Sequence, residues 1–567
     1  MAQRHREVFR TICAEAVRTR GSSDVAARYL QLPFLVPVRI PAQSHLEVHM
    51  VTTELAEGSG SSATTSSADV HVGSDYHPSL YNNDLAPLVK QKWNWYNIFA
   101  FWMSDVHSVG GYVTAGSLFA FGLASWQVFV CLIVGIVIVM LLANLVAKPS
   151  QVAGAPFPVI SRAPFGVRGA NIPATLRGLI AVAWYGIQTY LASDAIVVVA
   201  LKLWPALKPY SDVAQHGFVG LSTIGWGAFI LLWIGQAFVF WRGRNAIRKF
   251  IDWAGPAVYV VMIVLTVYLV YKAGTSNIDL TLGSIKYSGW GTVGAMFLAT
   301  SIVVSYFSGP LLNFGDISRY GRTMSDVKRG NLLGLPINFT FFSILTVVCA
   351  AATVPVYGKL ITDPIETVSR IDNTFAIVLG AMTFAIATVG INIVANFISP
   401  AFDFSHVAPQ KISWRTGGMI AAVGSVLITP WNLYSSDEVI HYTLDVLASF
   451  TGPLFGILVC DYYLIRHQHV VVDDLYTMSS KGRYYYTKGV NPKAVIATVV
   501  GGVIALAIVL TPVEPFKTAA NFSWFIGAGV GALVYYLNSR SSRVANLADK
   551  EINSHAHVPG ATAGERA

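Results

Sequence analysis

From about residue 97 onwards, the chain alternates between long apolar stretches and short polar connections. A helix needs about 20 apolar residues to cross the hydrocarbon core of a bilayer. Such stretches predict twelve transmembrane helices, the ninth of them short, at 97–122, 125–147, 173–203, 217–241, 254–273, 291–313, 331–356, 372–400, 416–431, 440–465, 494–511 and 519–537. The sequence lacks the shorter alternating segments of a membrane β-barrel. We therefore predict an all-α membrane protein.

The residues before the first apolar stretch have a different composition. They are polar and include a Gly/Ser/Thr cluster from Glu57 to Ser67, which is typical of disordered segments. We predict a disordered cytoplasmic tail over residues 1–95, a twelve-helix transporter domain over 96–538 and a cytoplasmic C-terminal tail over 539–567. A second interpretation is that translation starts at Met50, so that the residues before it are not part of the natural protein.

Positive charge is distributed unevenly between alternate connections. With the N-terminus inside the cell, the inner connections carry eighteen Lys and Arg residues, and the outer connections carry Lys208, Lys286, Lys359, Arg370 and Lys517. An excess of Lys and Arg marks the cytoplasmic side of a membrane protein. The pattern predicts a multi-pass protein of the plasma or inner membrane with both termini in the cytoplasm.

Composition narrows the functional class. Hydrophobic residues make up 54% of the chain and charged residues 12%, against about 25% charged residues in soluble proteins. The net charge of +9 does not come from Lys/Arg blocks interleaved with stacking aromatics, so we expect no nucleic-acid partner. The sequence shows no metal-ligand spacing among its four cysteines, no nucleophile–base motif and no Walker motif. We expect neither an enzyme nor a cofactor.

Two predicted spans contain residues that interrupt a helix. Gly110-Gly111 lies near the middle of the first span, and Gly309-Pro310 lies in the sixth. Proline removes a backbone donor and breaks the helical hydrogen-bond ladder, and transporters expose backbone groups to the solute at such breaks. The two spans are five apart, as in a five-plus-five inverted repeat. The alternative is a simple kink that contacts no solute.

Asp105 and His107 precede the first of these breaks. Ionisable side chains are costly in lipid, so they should face the helix bundle or a water-filled cavity. They could bind a proton or the solute, or they could hydrogen-bond backbone groups freed at the break. His107 is the better proton candidate because imidazole titrates near neutral pH.

Two pairs of side chains, each four residues apart, suit a flat polar ring. Trp184 and Gln188 share a face of the third span, and Asn392 and Asn396 share a face of the eighth. An indole can stack on a heterocycle while a carboxamide offers it a donor and an acceptor. The partner would be a small planar nitrogen heterocycle or ureide. Alternatively, Gln and Asn only hold neighbouring helices together.

Ordered motifs over residues 85–540 resemble the nucleobase–cation symporter-1 family. They are Phe101–Ser108, Pro156–Gly166, Leu176-Arg177, Trp184–Gln188, Asn313–Arg319, Asn392–Pro400, Gly452-Pro453 and Asp461-Tyr462. The resemblance implies a leucine-transporter-type fold of ten core helices plus two, and transport by alternating access. Members of the family carry uracil, cytosine, allantoin, hydantoins, purines or related vitamins. The motifs of the first and tenth spans resemble those of bacterial allantoin and uracil permeases.

The resemblance also implies roles for single residues. Trp184 and Gln188 match the stacking and hydrogen-bonding residues of the family, and Asn396 matches its eighth-helix substrate residue. Ser108 stands where relatives have a polar first-helix contact. Phe307 stands where some relatives have a second stacking tryptophan, so the resemblance places the substrate ring between Trp184 and Phe307.

The resemblance fails at the sodium site. Sodium-coupled members supply two adjacent hydroxyls from the eighth helix, but Gly390 and Ile391 occupy these positions here, with Thr388 nearby. The remaining oxygen ligands would be backbone carbonyls around Ser104, His107 and Ala387. We therefore predict a symporter driven by protons rather than by sodium. The alternatives are sodium coupling and a non-transporting receptor, and the short tails without a signalling domain argue against the receptor.

Overall fold

The computed structural model describes residues 70–553, apart from residues 108–110, 112–113, 117, 119–121, 281–285, 434–436 and 512. Each predicted apolar stretch contains a helix. We label these α1 Trp95–Val106, α2 Ser125–Ala153, α3 Asn171–Leu203, α4 Thr223–Arg242, α5 Arg244–Ala273, α6 Trp290–Tyr306, α7 Met324–Tyr357, α8 Thr374–Val407, α9 Trp414–Leu427, α10 Asp437–Val459, α11 Pro492–Val509 and α12 Ser523–Asn553.

Within the described residues, eight helices are long and apolar enough to cross a membrane, namely α2–α5, α7, α8, α10 and α11. The all-α membrane fold is confirmed, whereas the count of twelve spans stays a prediction. A two-stranded hairpin pairs β1 Gly217–Phe218 with β2 Leu221–Ser222. Short helices lie in the connections at Phe157–Ile160, Arg162–Phe165, Val213–His216, Ser308–Leu312, Gly315–Ser318, Pro364–Ser369 and Phe516–Ala520.

The sixth span is interrupted, as its sequence predicts. Helix α6 ends at Tyr306, and a new short helix begins at Ser308. Pro310 has no N–H to donate to the carbonyl four residues before it, which is that of Tyr306, and its ring crowds that carbonyl. The break therefore lies at Phe307, slightly before the Gly309-Pro310 pair itself.

The first span also ends early. Asn94 caps α1 by accepting hydrogen bonds from the N–H groups of Tyr96 and Asn97, and Asn97 accepts in return from the N–H of Asn94. The helix ends at Val106, and His107 has left the helical conformation with φ −89° and ψ 85°. Gly110, half of the predicted break, lies outside the described residues.

Close contacts hold the first and seventh helices together. A Cβ on Gly330 of α7 would lie 2.4 Å from the Cβ of Ile98 in α1, so only glycine permits this approach. Beside it, Trp102 donates from Nε1 to Oδ1 of Asn331 at 2.7 Å. Lipid gives no hydrophobic drive for helix association, so close packing and interhelical hydrogen bonds of this kind supply it.

Helices α3 and α8 run antiparallel and position the predicted site. Gly178, near the start of α3, lies beside Phe404 at the end of α8, where a Cβ on the glycine would approach the ring to 2.9 Å. Further along α3, the carbonyl of Tyr185 accepts from Nδ2 of Asn392 at 3.1 Å. Asn392 opens a π-helical turn, Asn392–Ile398, within α8, and such turns are frequent at functional sites.

Residues 70–94, which fall in the predicted tail, are ordered here. Two fully buried arginines hold them: Arg162 donates to the carbonyl of Leu80, and Arg319 donates to those of Asp84 and Ala86. These bonds come from residues far away in sequence. Local composition does not reveal such contacts, and it therefore indicates disorder. At the other end, α12 continues past residue 538 to Asn553. Residues 1–69 lie outside the described chain.

Candidate functional site

Trp184 and Gln188 lie on one face of α3 and meet the broken end of α6. The Trp184 ring packs edge-on against Tyr306, with centroids 5.5 Å apart and planes at 84°. Gln188 donates from Nε2 to the Tyr306 hydroxyl at 3.4 Å, which is a long and weak bond. The predicted shared face is thereby confirmed.

The other half of the Gln188 carboxamide is unsatisfied. The residue is 2% exposed, and its Oε1 is buried without a hydrogen-bond partner among the described residues. A buried acceptor without a donor costs about 1–3 kcal/mol. A ligand N–H placed at this oxygen would remove that cost.

Asn392 and Asn396 share a face of α8, as predicted, because Nδ2 of Asn396 donates to Oδ1 of Asn392 at 3.0 Å. Asn392 in turn donates to Thr189 Oγ1 at 2.9 Å and to Gln236 Oε1 at 2.7 Å. Asn392 is thus saturated by a network that joins α3, α4 and α8. Asn396 stands at the edge of this network.

Phe307 is buried at the break of the sixth span. Its ring meets Tyr306 at 5.3 Å and Phe339 at 5.8 Å, both edge-on. Tyr306 therefore contacts both rings of the expected sandwich, Trp184 and Phe307. Tyr306 and Phe307 also line a largely apolar cavity whose other described walls are Val106, Gly111, Thr114, Ala115, Leu118, Leu132, Val303 and Phe339.

The two ionisable residues of the first span point to different surroundings. Asp105 is 1% exposed, and its carboxyl interacts electrostatically with Arg177 of α3. The ring of His107 instead packs against Tyr259 and Phe342, with centroids 4.3 and 5.1 Å away. The structure therefore separates these two proton candidates. Ser108, the expected polar contact, lies outside the described residues.

The positions considered for a cation are buried around α1 and α8. Ser104 and Ala387 are 3% and 5% exposed, and the Ser104 hydroxyl has no hydrogen-bond partner within the described part of the chain. Thr388 donates from Oγ1 to the Phe384 carbonyl of its own helix at 3.0 Å. Gly390 and Ile391 are buried and bring no side-chain oxygen.

Sequence reasoning gave no functional role to several polar residues of this region. Tyr306 contacts Trp184 and Gln188, while Thr189 and Gln236 complete the Asn392 network. Arg177 is fully buried and donates to the carbonyls of Gly309 and Ala395 at 3.3 Å each. The sequence does contain a signal for these residues, because polar and charged side chains inside apolar spans mark functional positions.

The comparisons with known proteins give the family. Residues 87–527 match the family described as permeases for cytosine/purines, uracil, thiamine and allantoin. The chain is 33% identical over 481 residues to an allantoin permease of Bacillus subtilis, and the match covers 84% of this chain and 97% of that protein. It is 32% identical over 431 residues to a purine-uracil permease of Arabidopsis thaliana, covering 76% and 71% of the two chains.

The fold is shared with a solved transporter. Mhp1, described as a nucleobase-cation-symport-1 family transporter, superposes with a TM-score of 0.67 in a closed conformation with bromovinylhydantoin bound. It is 22% identical, and the match covers 82% of this chain and 97% of Mhp1. This chain is therefore a multi-pass membrane protein that belongs to the permease family for cytosine/purines, uracil, thiamine and allantoin, the nucleobase–cation symporter-1 family.

Proposed function

We propose that this protein is a proton-coupled symporter that imports a planar nucleobase or related ureide such as uracil, allantoin, cytosine or hydantoin. The buried, unpartnered Oε1 of Gln188 beside Trp184 carries this proposal. The proposed substrates all have ring N–H groups that can donate to this oxygen, and flat faces that can stack on the indole. Allantoin and uracil are the substrates we expect first, since the relatives above are named for them.

Proton coupling is supported by the side chains that stand where a sodium ion would bind. Sodium, like other hard cations, prefers oxygen ligands. Gly390 and Ile391 supply none from their side chains. Thr388 is bonded back to the preceding turn of α8. Uptake that requires sodium and ignores a collapsed pH gradient would contradict proton coupling and favour the sodium-coupled alternative.

The charge bias of the connections supports an orientation with both termini in the cytoplasm and a location in the plasma or inner membrane. Span by span, this orientation places the start of α3 and the end of α8 on the cytoplasmic side. Single cysteines at positions 359 and 411 test this orientation, because Lys359 and Lys411 lie in connections on opposite predicted sides of the membrane. We expect an impermeant reagent to label K359C from outside the cell, but not K411C.

Counterflow of labelled uracil and allantoin in proteoliposomes tests the transport function. We expect Gln188→Ala to lower substrate affinity by roughly 5- to 150-fold, the equivalent of about 1–3 kcal/mol. The matched control is Gln127→Ala, because the hydrogen bond of the Gln127 side chain among the described residues is the one that it accepts from the N–H of Ala124 at the start of α2. Equal affinity in the two variants, or no transport of any ring in the panel, would contradict the proposal.

A further inference from the structure

A cluster of buried charges lies next to the substrate side chains and is not used by them. Arg177 of α3, Asp403 of α8 and Asp316 of the short helix Gly315–Ser318 are all fully buried. Asp105 of α1 is 1% exposed. Arg177 interacts electrostatically with all three carboxyls, so one guanidinium faces three acids contributed by three different helical segments.

Asp403 and Asp105 are the least satisfied of these acids, because neither oxygen of either carboxyl has a hydrogen-bond partner in the described part of the chain. Asp105 has Arg177 as its electrostatic partner there, whereas Asp403 has both Arg177 and a second acid, Asp316. Asp316 differs because its Oδ1 accepts from the N–H of Phe157 at 2.8 Å. A buried carboxylate without donors costs several kcal/mol, and a proton on Asp403 removes that charge.

Other charged groups near Asp403 are engaged elsewhere. Arg319, which acts electrostatically on Asp316, donates to the carbonyls of Asp84 and Ala86. Arg162 donates to His406, which follows Asp403 on α8. Arg415, at the start of α9, lies over the ring of Trp241. Arg177 therefore remains the cation that responds to the charge of Asp403.

We propose that Asp403 binds the co-transported proton and that Arg177 communicates its protonation state to the substrate site. This inference rests on the proposed symport function. In the outward-facing state, one Asp403 oxygen forms an O–H bond with a proton from outside, and the carboxyl becomes neutral. In the inward-facing state, that bond breaks, the proton passes to cytoplasmic water and the carboxylate forms again.

The hydrogen bonds of Arg177 provide the connection. It donates to the carbonyl of Gly309, two residues after Phe307, and to that of Ala395, the residue before Asn396. Both bonds are 3.3 Å long, just beyond the usual N–H···O range and therefore weak, whereas bonds to a carboxylate are shorter and stronger. A deprotonated Asp403 draws the guanidinium away from these carbonyls, and a protonated Asp403 leaves it on them.

Proteoliposomes that contain a pH-sensitive dye test this assignment. In the wild type, we expect external uracil or allantoin to acidify the interior, in parallel with labelled-substrate counterflow. In Asp403→Asn, we expect counterflow to persist and acidification to be lost. The matched control is Asp445→Asn, which removes a buried carboxyl of α10 and should retain both signals.

Each other outcome has a distinct meaning. Acidification that persists in Asp403→Asn, or that is lost only in Asp105→Asn, overturns the assignment. If Asp403→Asn does not fold, Asp403→Glu must acidify the vesicles with a shifted pH dependence, and an unchanged dependence overturns the assignment as well. Wild-type counterflow without acidification overturns it but leaves transport intact. Absence of any wild-type counterflow contradicts the proposed function instead.

Discussion

Helices α3 and α8 carry two regions of opposite chemical character. Towards one end lie Arg177 and Asp403, both ionisable and fully buried. Seven residues further into each helix lie Trp184 and Asn396, whose side chains carry no charge. Seven helical residues correspond to about 10 Å. The neutral region presents an aromatic face and an unsatisfied amide oxygen, which suits a polar ring.

The charged region presents more acids than bases, which suits a proton. Under the proposed function, one helix pair binds a neutral solute in one region and a proton in the other. The ring needs a hydrogen-bond donor and acceptor pattern, which carboxamides supply without charge. The ion needs a group whose charge can change. The carbonyls of Gly309 and Ala395 join the two regions through Arg177.

The largest expected effect comes from removing the shared cation. Arg177→Ala removes the described counter-charge of the buried Asp105 and Asp403 carboxyls and leaves Asp316 with Arg319, so we expect the free energy of unfolding to fall by about 3–5 kcal/mol. The loss should be smaller in acid, because protonated carboxyls need no counter-charge. Thermal unfolding in detergent at neutral and acidic pH measures both.

Arg329→Ala provides the control for this prediction. The Arg329 guanidinium lies over the ring of Trp95 at 4.8 Å from its centroid and faces no buried acid cluster in the described structure. A decrease in stability equal to that of Arg177→Ala, or one for Arg177→Ala that does not change with pH, would contradict the charged-cluster interpretation.

The next effect belongs to the neutral region. Stacking of a base on an aromatic side chain contributes about 1–3 kcal/mol, so Trp184→Ala should weaken uracil or allantoin binding by a corresponding factor. Trp184→Phe, which keeps a flat ring, should recover most of the affinity. Direct binding to the purified protein measures the affinity of each variant. The number of protons transported per substrate molecule should be the same in Trp184→Phe as in the wild type. A changed stoichiometry would mean that the two regions are not separate.

Asn392 should behave differently from Asn396, although the sequence gives them equivalent positions. Asn392 donates to three groups on α3 and α4, so we expect Asn392→Ala to lower thermal stability. Among the described residues, the Asn396 side chain donates to Oδ1 of Asn392 on its own helix, so Asn396→Ala should mainly weaken substrate binding. Measuring melting temperature and affinity for both variants decides between helix packing and solute contact.

The smallest effect is expected for exposed charges. Hydrogen bonds from Lys359, and then from Arg370, lower the pKa of the Glu366 carboxyl in the short helix Pro364–Ser369. A depressed folded-state pKa stabilises the protein above the unfolded pKa, and this contribution is lost as pH falls through the folded one. Because the groups are exposed, Lys359→Met should cost less than about 1 kcal/mol, measured by thermal unfolding at neutral pH.

The sequence predicts features that depend on neighbours along the chain. The apolar stretches, the break before Pro310 and the shared faces of Trp184 with Gln188 and of Asn392 with Asn396 follow from helical spacing and proline chemistry. Features that depend on distant residues were not predictable in this way. The hydrogen bonds that join Arg162 to Leu80 and Arg319 to Asp84 span 82 and 235 positions of the chain.

The same limit applies within the site. Nothing in the run around Asp105 and His107 indicates that one side chain faces Arg177 while the other packs against Tyr259. Tyr306 lies just before the predicted break, yet its contact with Trp184 depends on how α3 and α6 cross. Residue type and spacing identified the region, but only the packing of helices determines which side chains meet.

The most direct measurement combines one ligand change with one residue change. Uracil and its N-methylated form, which lacks the ring N–H at the methylated position, are compared for binding to the wild type and to Gln188→Ala. If a ring N–H donates to Gln188 Oε1, methylation weakens binding to the wild type and has little further effect in Gln188→Ala. If methylation weakens both proteins by the same factor, the ring does not bind to that oxygen, and the account of the neutral region is wrong.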